Sequence, residues 1–262
     1  MKALVRPTRQ LRGEIQALSS KNYTTRYMLV AGLAEGTSVL RYPAKSEDSD
    51  AMRRCLTDLG AVLEEEEGVL RIRGFGRHPR SVAQLDVGNA GAVLRFLMST
   101  AAFCEEVHFV NRYPQSLGKR PHDDLIRALE QMNVRVEHNG GKLPITIRGG
   151  RPKGGPITVS GKVSSQYLSS LLFMTPLLEE DSEITVTDDL KSKVVVGQTL
   201  EVLEQAGIRV EASDDLMHFR IPGRQQYVPG EYVIQGDYPG SAAILAAAAV
   251  TSSYVKVLRL PE

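Results

Sequence analysis

Cysteine is scarce in this sequence: Cys55 and Cys104 are the only two in 262 residues, and they stand far apart. That excludes a disulfide framework and leaves no spacing for a metal site. Both fall in helical patterns, so buried free thiols in a reducing compartment are expected. An excess of charge of one sign is also lacking, because 32 Lys and Arg face 31 Asp and Glu for a net charge of +1. General binders of nucleic acid or of membrane surfaces carry a large basic excess, so neither partner is expected and any anion site must be a local cluster. No apolar run reaches the roughly eighteen residues of a membrane span. The opening MKALVRPTRQ has no apolar segment of a secretory signal, and a cytoplasmic protein is expected. The five histidines lack ligand spacing, and no Ser-His-Asp or Cys-His set can be assembled. No metal and no cofactor is expected.

What is present is a repeat with a period of about 75 residues. CLTDLGAVLEEEEGVLRIRG closes at Gly74, ALEQMNVRVEHNGGKLPITIRG at Gly149 and VLEQAGIRVEASDDLMHFRIPG at Gly223. Each reads as an amphipathic helix, a strand, a turn and a second strand. Leu125, Leu129 and Met132 form the apolar stripe of one such helix, and Val196, Leu200 and Leu203 that of the next. Gly60, Asn133 and Gly207 stand where a left-handed residue ends the helix. The acidic run Glu64 to Glu67 reads as a solvated turn in the first hairpin. Each copy opens with a helix that is apolar on most sides: SSKNYTTRYMLVAGLA, GNAGAVLRFLMSTAAF and SSQYLSSLLFMTPLL. Such helices belong in an interior. The expected fold is α/β, three β-α-β-α-β-β repeats (approximately 10–76, 77–150 and 151–223) packed around parallel buried helices. A fourth copy begins at YVIQGDYPGSAAILAAAAV.

Parallel inner helices aim several N-termini, each with a partial positive charge and unpaired N–H groups, at one place. Small residues at those starts (Ser19-Ser20, Gly88 to Gly91, Ser164-Ser165) let a ligand approach the backbone. GNAG by itself is a weak signal, since GNAGAVLR lacks the GK[ST] ending of a Walker A loop and does not fit G-x-G-x-x-G. Lys21, Arg26 and Arg95 are harder to explain as surface residues. They lie in the first turns of apolar helices whose first turns hold no acid, and an unpaired buried guanidinium costs several kcal/mol. Arg120 stands at a strand–helix junction before Pro121, Gln166 follows the serine pair, and Ser192 in LKSKVV is either a cap or a ligand donor.

SKNYTTR…LAEGTSVL, LDVGNAGAVLRFL, LGKRP, VSSQYLSSLL, LKSK and GDYPGSAAILAAAA, in this order, resemble the 5-enolpyruvylshikimate-3-phosphate synthase family along essentially the whole chain. The resemblance implies an enolpyruvyl transferase-like domain. It also implies transfer of the enolpyruvyl group of phosphoenolpyruvate to the 5-hydroxyl of shikimate 3-phosphate, with release of phosphate, in aromatic amino acid biosynthesis. Carried over by position, Lys21 is the catalytic residue and touches both substrates. Asn22, Arg26, Ser164, Ser165, Gln166 and Ser192 hold shikimate 3-phosphate. Asn89, Gly91, Arg95, Arg120 and Gln166 form the phosphoenolpyruvate side. Asn22 stands where the family usually has serine, Ala92 where threonine is usual, and Val195 where some members have tyrosine.

Family members are much longer chains. The expectation is therefore a shikimate-phosphate domain over 21–235, with 1–20 and 236–262 as segments of an incomplete second domain. A chain of this extent is expected to bind shikimate 3-phosphate weakly and to turn nothing over, and the full-length protein to be a monomer. Two alternatives remain: a UDP-N-acetylglucosamine enolpyruvyl transferase, which shares a Lys-Asn pair like Lys21-Asn22, and a non-catalytic phosphate-binding half of a split enzyme. RYPQSLGKRP lacks the reactive cysteine of the former, and VSSQ favours the shikimate enzyme.

Overall fold

The structure, a computed structural model, describes residues 8–82 and 84–261. Residues 1–7 of the expected 1–20 segment lie outside the described residues. The repeats appear as three four-stranded sheets around a core of helices. The first unit runs α1 (Lys21–Leu33), β2 (Thr37–Arg41), α2 (Glu47–Asp58), β3 (Val62–Glu66) and β4 (Val69–Arg73), preceded by β1 (Arg12–Gln16). The second has β5 (Gln84–Leu85), α3 (Gly91–Thr100), β6 (Val107–Phe109), α4 (Asp123–Gln131), β7 (Arg135–Asn139) and β8 (Lys142–Arg148). The third has β9 (Gly155–Ser160), α5 (Ser165–Met174), β10 (Ser182–Thr187), α6 (Lys193–Gln205), β11 (Glu211–Ala212) and β12 (His218–Ile221). β13 (Glu231–Val233), α7 (Tyr238–Val250) and β14 (Tyr254–Leu258) follow.

In the second and third units the first strand pairs in parallel with the strand after the inner helix, β5 with β6 and β9 with β10. The first unit corrects the expected boundary at about residue 10. Its parallel edge strand is β13, which pairs with β2, whereas β1 pairs in parallel with β14 in a separate two-stranded sheet. The fourth copy therefore lends its first strand to the first unit, and the three-sheet body closes on itself through residues distant in sequence. A second correction concerns the acidic run: Glu64 to Glu66 are the exposed end of β3, and only Glu67, at φ 45°, enters the turn.

Ten of the thirteen residues of α1 are buried, and α3 and α5 are buried along almost their whole length, as interior helices must be. Their direction follows from the side-chain bonds between them. Arg95 bonds Gln166 and Ser99 bonds Ser170, each pair 71 positions apart, which makes α3 and α5 parallel. Tyr23 bonds Glu201 and Tyr27 bonds Gln205, both 178 apart, which makes α1 and α6 parallel. Ser169 joins Thr199 at 2.8 Å and so ties α5 to α6.

The closing glycines have a common cause. A Cβ on Gly74 would sit 2.3 Å from the carbonyl oxygens of Ala31 and Ala34, one on Gly149 2.1 Å from that of Ala102, and one on Gly223 2.5 Å from that of Glu180. The next residue in each unit then donates its N–H to a carbonyl at that helix end: Phe75 to Gly32, Gly150 to Ala102, Arg224 to Leu178. A carbonyl in the last turn of α1, and carbonyls at the short 3-10 turns that extend α3 (Ala101–Phe103) and α5 (Thr175–Leu177), are satisfied this way. Gly60, Asn133 and Gly207 have positive φ, as a left-handed helix stop requires.

Among the described residues no helix is long and apolar enough to cross a membrane. α7 is nevertheless apolar on every side, yet only its Ser241 and Ala248 are buried, and Val250 is 83% exposed. It rests against β14, whose Tyr254 is 77% exposed.

Candidate active site

The N-terminal ends of the inner helices differ in how their N–H groups are satisfied. Ser20 caps α1 by accepting from Tyr23 N at 3.5 Å, and Ser164 caps α5 by accepting from Gln166 N at 3.2 Å. Ala90 at the start of α3 has no side chain to cap with, and Ser192, in a left-handed conformation before α6, makes no cap bond with its hydroxyl. None of α1, α3, α5 and α6 has an acidic residue in its first turn. The positive ends of α3 and α6 are thus left for something outside the helix.

Arg26 joins two of these ends. It is 0% exposed. Its Nε donates to Thr199 Oγ1 at 2.9 Å, one terminal nitrogen to the carbonyl of Asn22 at 3.0 Å and the other to that of Val195 at 3.3 Å. The guanidinium also lies 5.2 Å from the ring centre of Phe96 on α3. These partners are all neutral, and burial pushes the pKa down to about 10. Among the described residues no carboxylate pairs with Arg26, Arg95 or Arg120.

Arg95 donates to Gln166 Oε1 at 2.5 Å and lies 5.3 Å from the ring centre of Tyr167, which ties α3 to the first turn of α5. Burial, and to a lesser degree the charge of Arg120, lowers its pKa. A Cβ on Gly91 would meet a terminal nitrogen of Arg120 at 2.9 Å and one of Arg95 at 3.8 Å, so both guanidinium groups converge on the uncapped start of α3. Asn89 holds the loop that brings Arg120 there, its Oδ1 accepting from Leu117 N at 3.2 Å. Pro121 lies just outside α4, which starts at Asp123 after His122, rather than within its first turn.

Lys21, the first residue of α1, is exposed and pairs with Asp48 at 3.4 Å, a surface contact of little strength. Beside it is a crevice of about 550 Å³ lined in part by Ser19, Tyr42, Asp237 and Arg259. Arg259 stacks 4.5 Å from the ring centre of Tyr42 and donates to Ala17 O and Ser19 Oγ. Ser165 is buried and Ser164, Gln166 and Asn22 are half-buried, while Ser192 is exposed. Lys21, Asn22, Arg26 and Ser192 therefore lie toward the N-terminal ends of α1 and α6. Asn89, Gly91, Arg95, Arg120, Ser164, Ser165 and Gln166 lie toward those of α3 and α5.

Sequence reasoning missed three neighbours. Thr199 accepts from Arg26, and Tyr167 and His122 back Arg95 and Arg120. Thr199 is a polar residue inside the apolar run VVVGQTLEVL, a signal that was available. Nothing local marks Tyr167 or His122.

Three sheets around parallel helices, with arginines gathered near the helix N-termini, define an enolpyruvyl transferase-like domain. The profile of the EPSP synthase (3-phosphoshikimate 1-carboxyvinyltransferase) family matches residues 5–261, and the chain belongs to that family. A 3-phosphoshikimate 1-carboxyvinyltransferase of Deinococcus radiodurans is 50% identical over 259 residues, 99% of this chain and 59% of the relative. One of Burkholderia pseudomallei is 36% identical, covering 92% of this chain and 54% of the relative. An EPSP synthase structure from Acinetobacter baumannii superimposes with a TM-score of 0.83 at 22% identity, over 95% of this chain and 55% of that one, and shares the fold. The chain spans about three-fifths of the length of the Deinococcus relative.

Proposed function

We propose that this chain is the shikimate 3-phosphate-binding part of an enzyme that transfers the enolpyruvyl group of phosphoenolpyruvate to the 5-hydroxyl of shikimate 3-phosphate. The observation that carries the reading is Arg26, a fully buried guanidinium with neutral partners at the meeting point of α1, α3 and α6. A buried cation without a counter-ion is a costly arrangement unless an anion completes it. In this reading Arg26 and Asn22 take the shikimate carboxylate side, and Ser164, Ser165 and Ser192 take the 3-phosphate. Arg120 and the backbone N–H of Gly91 take phosphoenolpyruvate, with Arg95 adding positive charge and Asn89 shaping the loop. Gln166 and Lys21 stand between the ligands. Helix N-termini and planar guanidinium forks suit phosphate and carboxylate groups.

The chemistry needs the ring hydroxyl to give up its proton and add to C2 of phosphoenolpyruvate, the carbon bearing the phosphate, while the methylene carbon takes a proton. The tetrahedral intermediate then loses phosphate and one proton of the new methyl group, which restores the double bond. The site's work is to hold two mutually repelling anions at reaction distance and, on closure, to exclude water. Residues 21–235 form this domain in our reading, and 1–20 with 236–262 belong to a second one. The exposed apolar surface of α7 supports that division, because such a helix is stable only under a cover. The UDP-N-acetylglucosamine alternative draws no support from the relatives found.

Calorimetric titration tests the reading. The chain is expected to bind shikimate 3-phosphate, and Ser165→Ala to bind it at least about tenfold more weakly by loss of one hydrogen bond to a charged group, about 1.5–3 kcal/mol. The chain by itself is expected to release no phosphate from the two substrates. Absence of shikimate 3-phosphate binding at millimolar ligand would refute the assignment.

A further inference from the structure

Arg95 and Arg120 approach the start of α3 from different elements, and like charges held so close repel unless something fixes them. One side chain on a third element supports both. Tyr167, buried in the first turn of α5, presents its ring to the Arg95 guanidinium at 5.3 Å. Its hydroxyl donates at 2.6 Å to the carbonyl of Pro121, the residue after Arg120. His122, fully buried, packs edge-to-face against the same ring with centres 6.5 Å apart, and neither of its ring nitrogens has a partner among the described residues. The imidazole thus acts as an apolar wedge that fixes the tilt of the tyrosine.

We propose that Tyr167 is a positioning residue for the phosphoenolpyruvate corner, its ring setting Arg95 and its hydroxyl setting the Arg120 loop. This rests on the assignment of that corner made above. A cation over a ring face and a single neutral hydrogen bond are each modest, but together they hold two repelling groups in one arrangement before the ligand arrives. Pre-orientation of this kind improves binding by lowering the ordering cost. The two supports are separable by substitution, because phenylalanine keeps the ring and loses the hydroxyl.

The test is an NMR titration of the nitrogen-15-labelled chain, following the Gly91 amide with phosphoenolpyruvate and the Ser165 amide with shikimate 3-phosphate. Tyr167→Phe is expected to weaken phosphoenolpyruvate about fivefold, and Tyr167→Leu about tenfold or more. Shikimate 3-phosphate affinity should stay within about twofold of the parent in both, a split that general loosening of the fold would not produce. If Tyr167→Leu fails to fold, Tyr167→Phe carries the test alone. Arg120→Ala separates the two claims. Loss of phosphoenolpyruvate binding in Arg120→Ala with parental binding in the Tyr167 variants overturns the positioning role alone. Parental binding in Arg120→Ala overturns the assignment of the corner, and the positioning role with it.

Discussion

Among the described residues one charged side chain is fully buried, Arg26, and its partners are neutral. Arg26 was legible as an anomaly in the sequence, an arginine in an apolar helix with no acid in its first turn. Two of its three neutral acceptors were not legible, because Thr199 and Val195 lie on a helix more than 160 residues away. In the sequence His122 is one of five scattered histidines, yet it is fully buried beside the arginine pair. Burial, and then Arg95, pushes its pKa from 6.5 down to about 4. The folded chain keeps it neutral while the unfolded chain takes up a proton below 6.5, so its contribution to stability is fully present above that pH. It is lost as pH falls toward 4, by about 2–3 kcal/mol at pH 4.5. Urea unfolding at pH 7 and pH 4.5 should therefore show a larger acid loss for the parent than for His122→Leu. Equal losses would contradict the burial of a neutral imidazole.

Elements were the most readable level, for a physical reason. The inner helices, their capping serines and the left-handed stops at Gly60, Asn133 and Gly207 are all local signals. The partner of β2 was not readable, because pairing with β13 is decided by closure of the three-sheet body and not by anything near either strand. The closing glycines show how a local residue can serve a distant contact. Gly149→Ala should destabilise by about 1–3 kcal/mol or more in urea unfolding, since its Cβ would strike the Ala102 carbonyl rather than a flexible side chain. Gly91→Ala has the opposite profile. Its Cβ meets the movable end of Arg120, so stability should change by less than about 1 kcal/mol while phosphoenolpyruvate binding falls about tenfold. A large drop in melting temperature without loss of binding would contradict the placement of Arg120.

At the scale of the whole molecule, three sheets bury what no single unit could cover, and α1 runs parallel to α6 as α3 does to α5. In the proposed function the charge of Arg26 is uncompensated until an anion joins it. Shikimate 3-phosphate titrated onto Arg26→Met, beside a thermal melt, tests it most directly. Removing a buried cation in favour of an apolar chain of similar reach should leave the melting temperature unchanged or raise it. Affinity for shikimate 3-phosphate should fall about 30-fold or more. Parental affinity in Arg26→Met, or a melt lowered as by loss of a structural ion pair, would contradict the account.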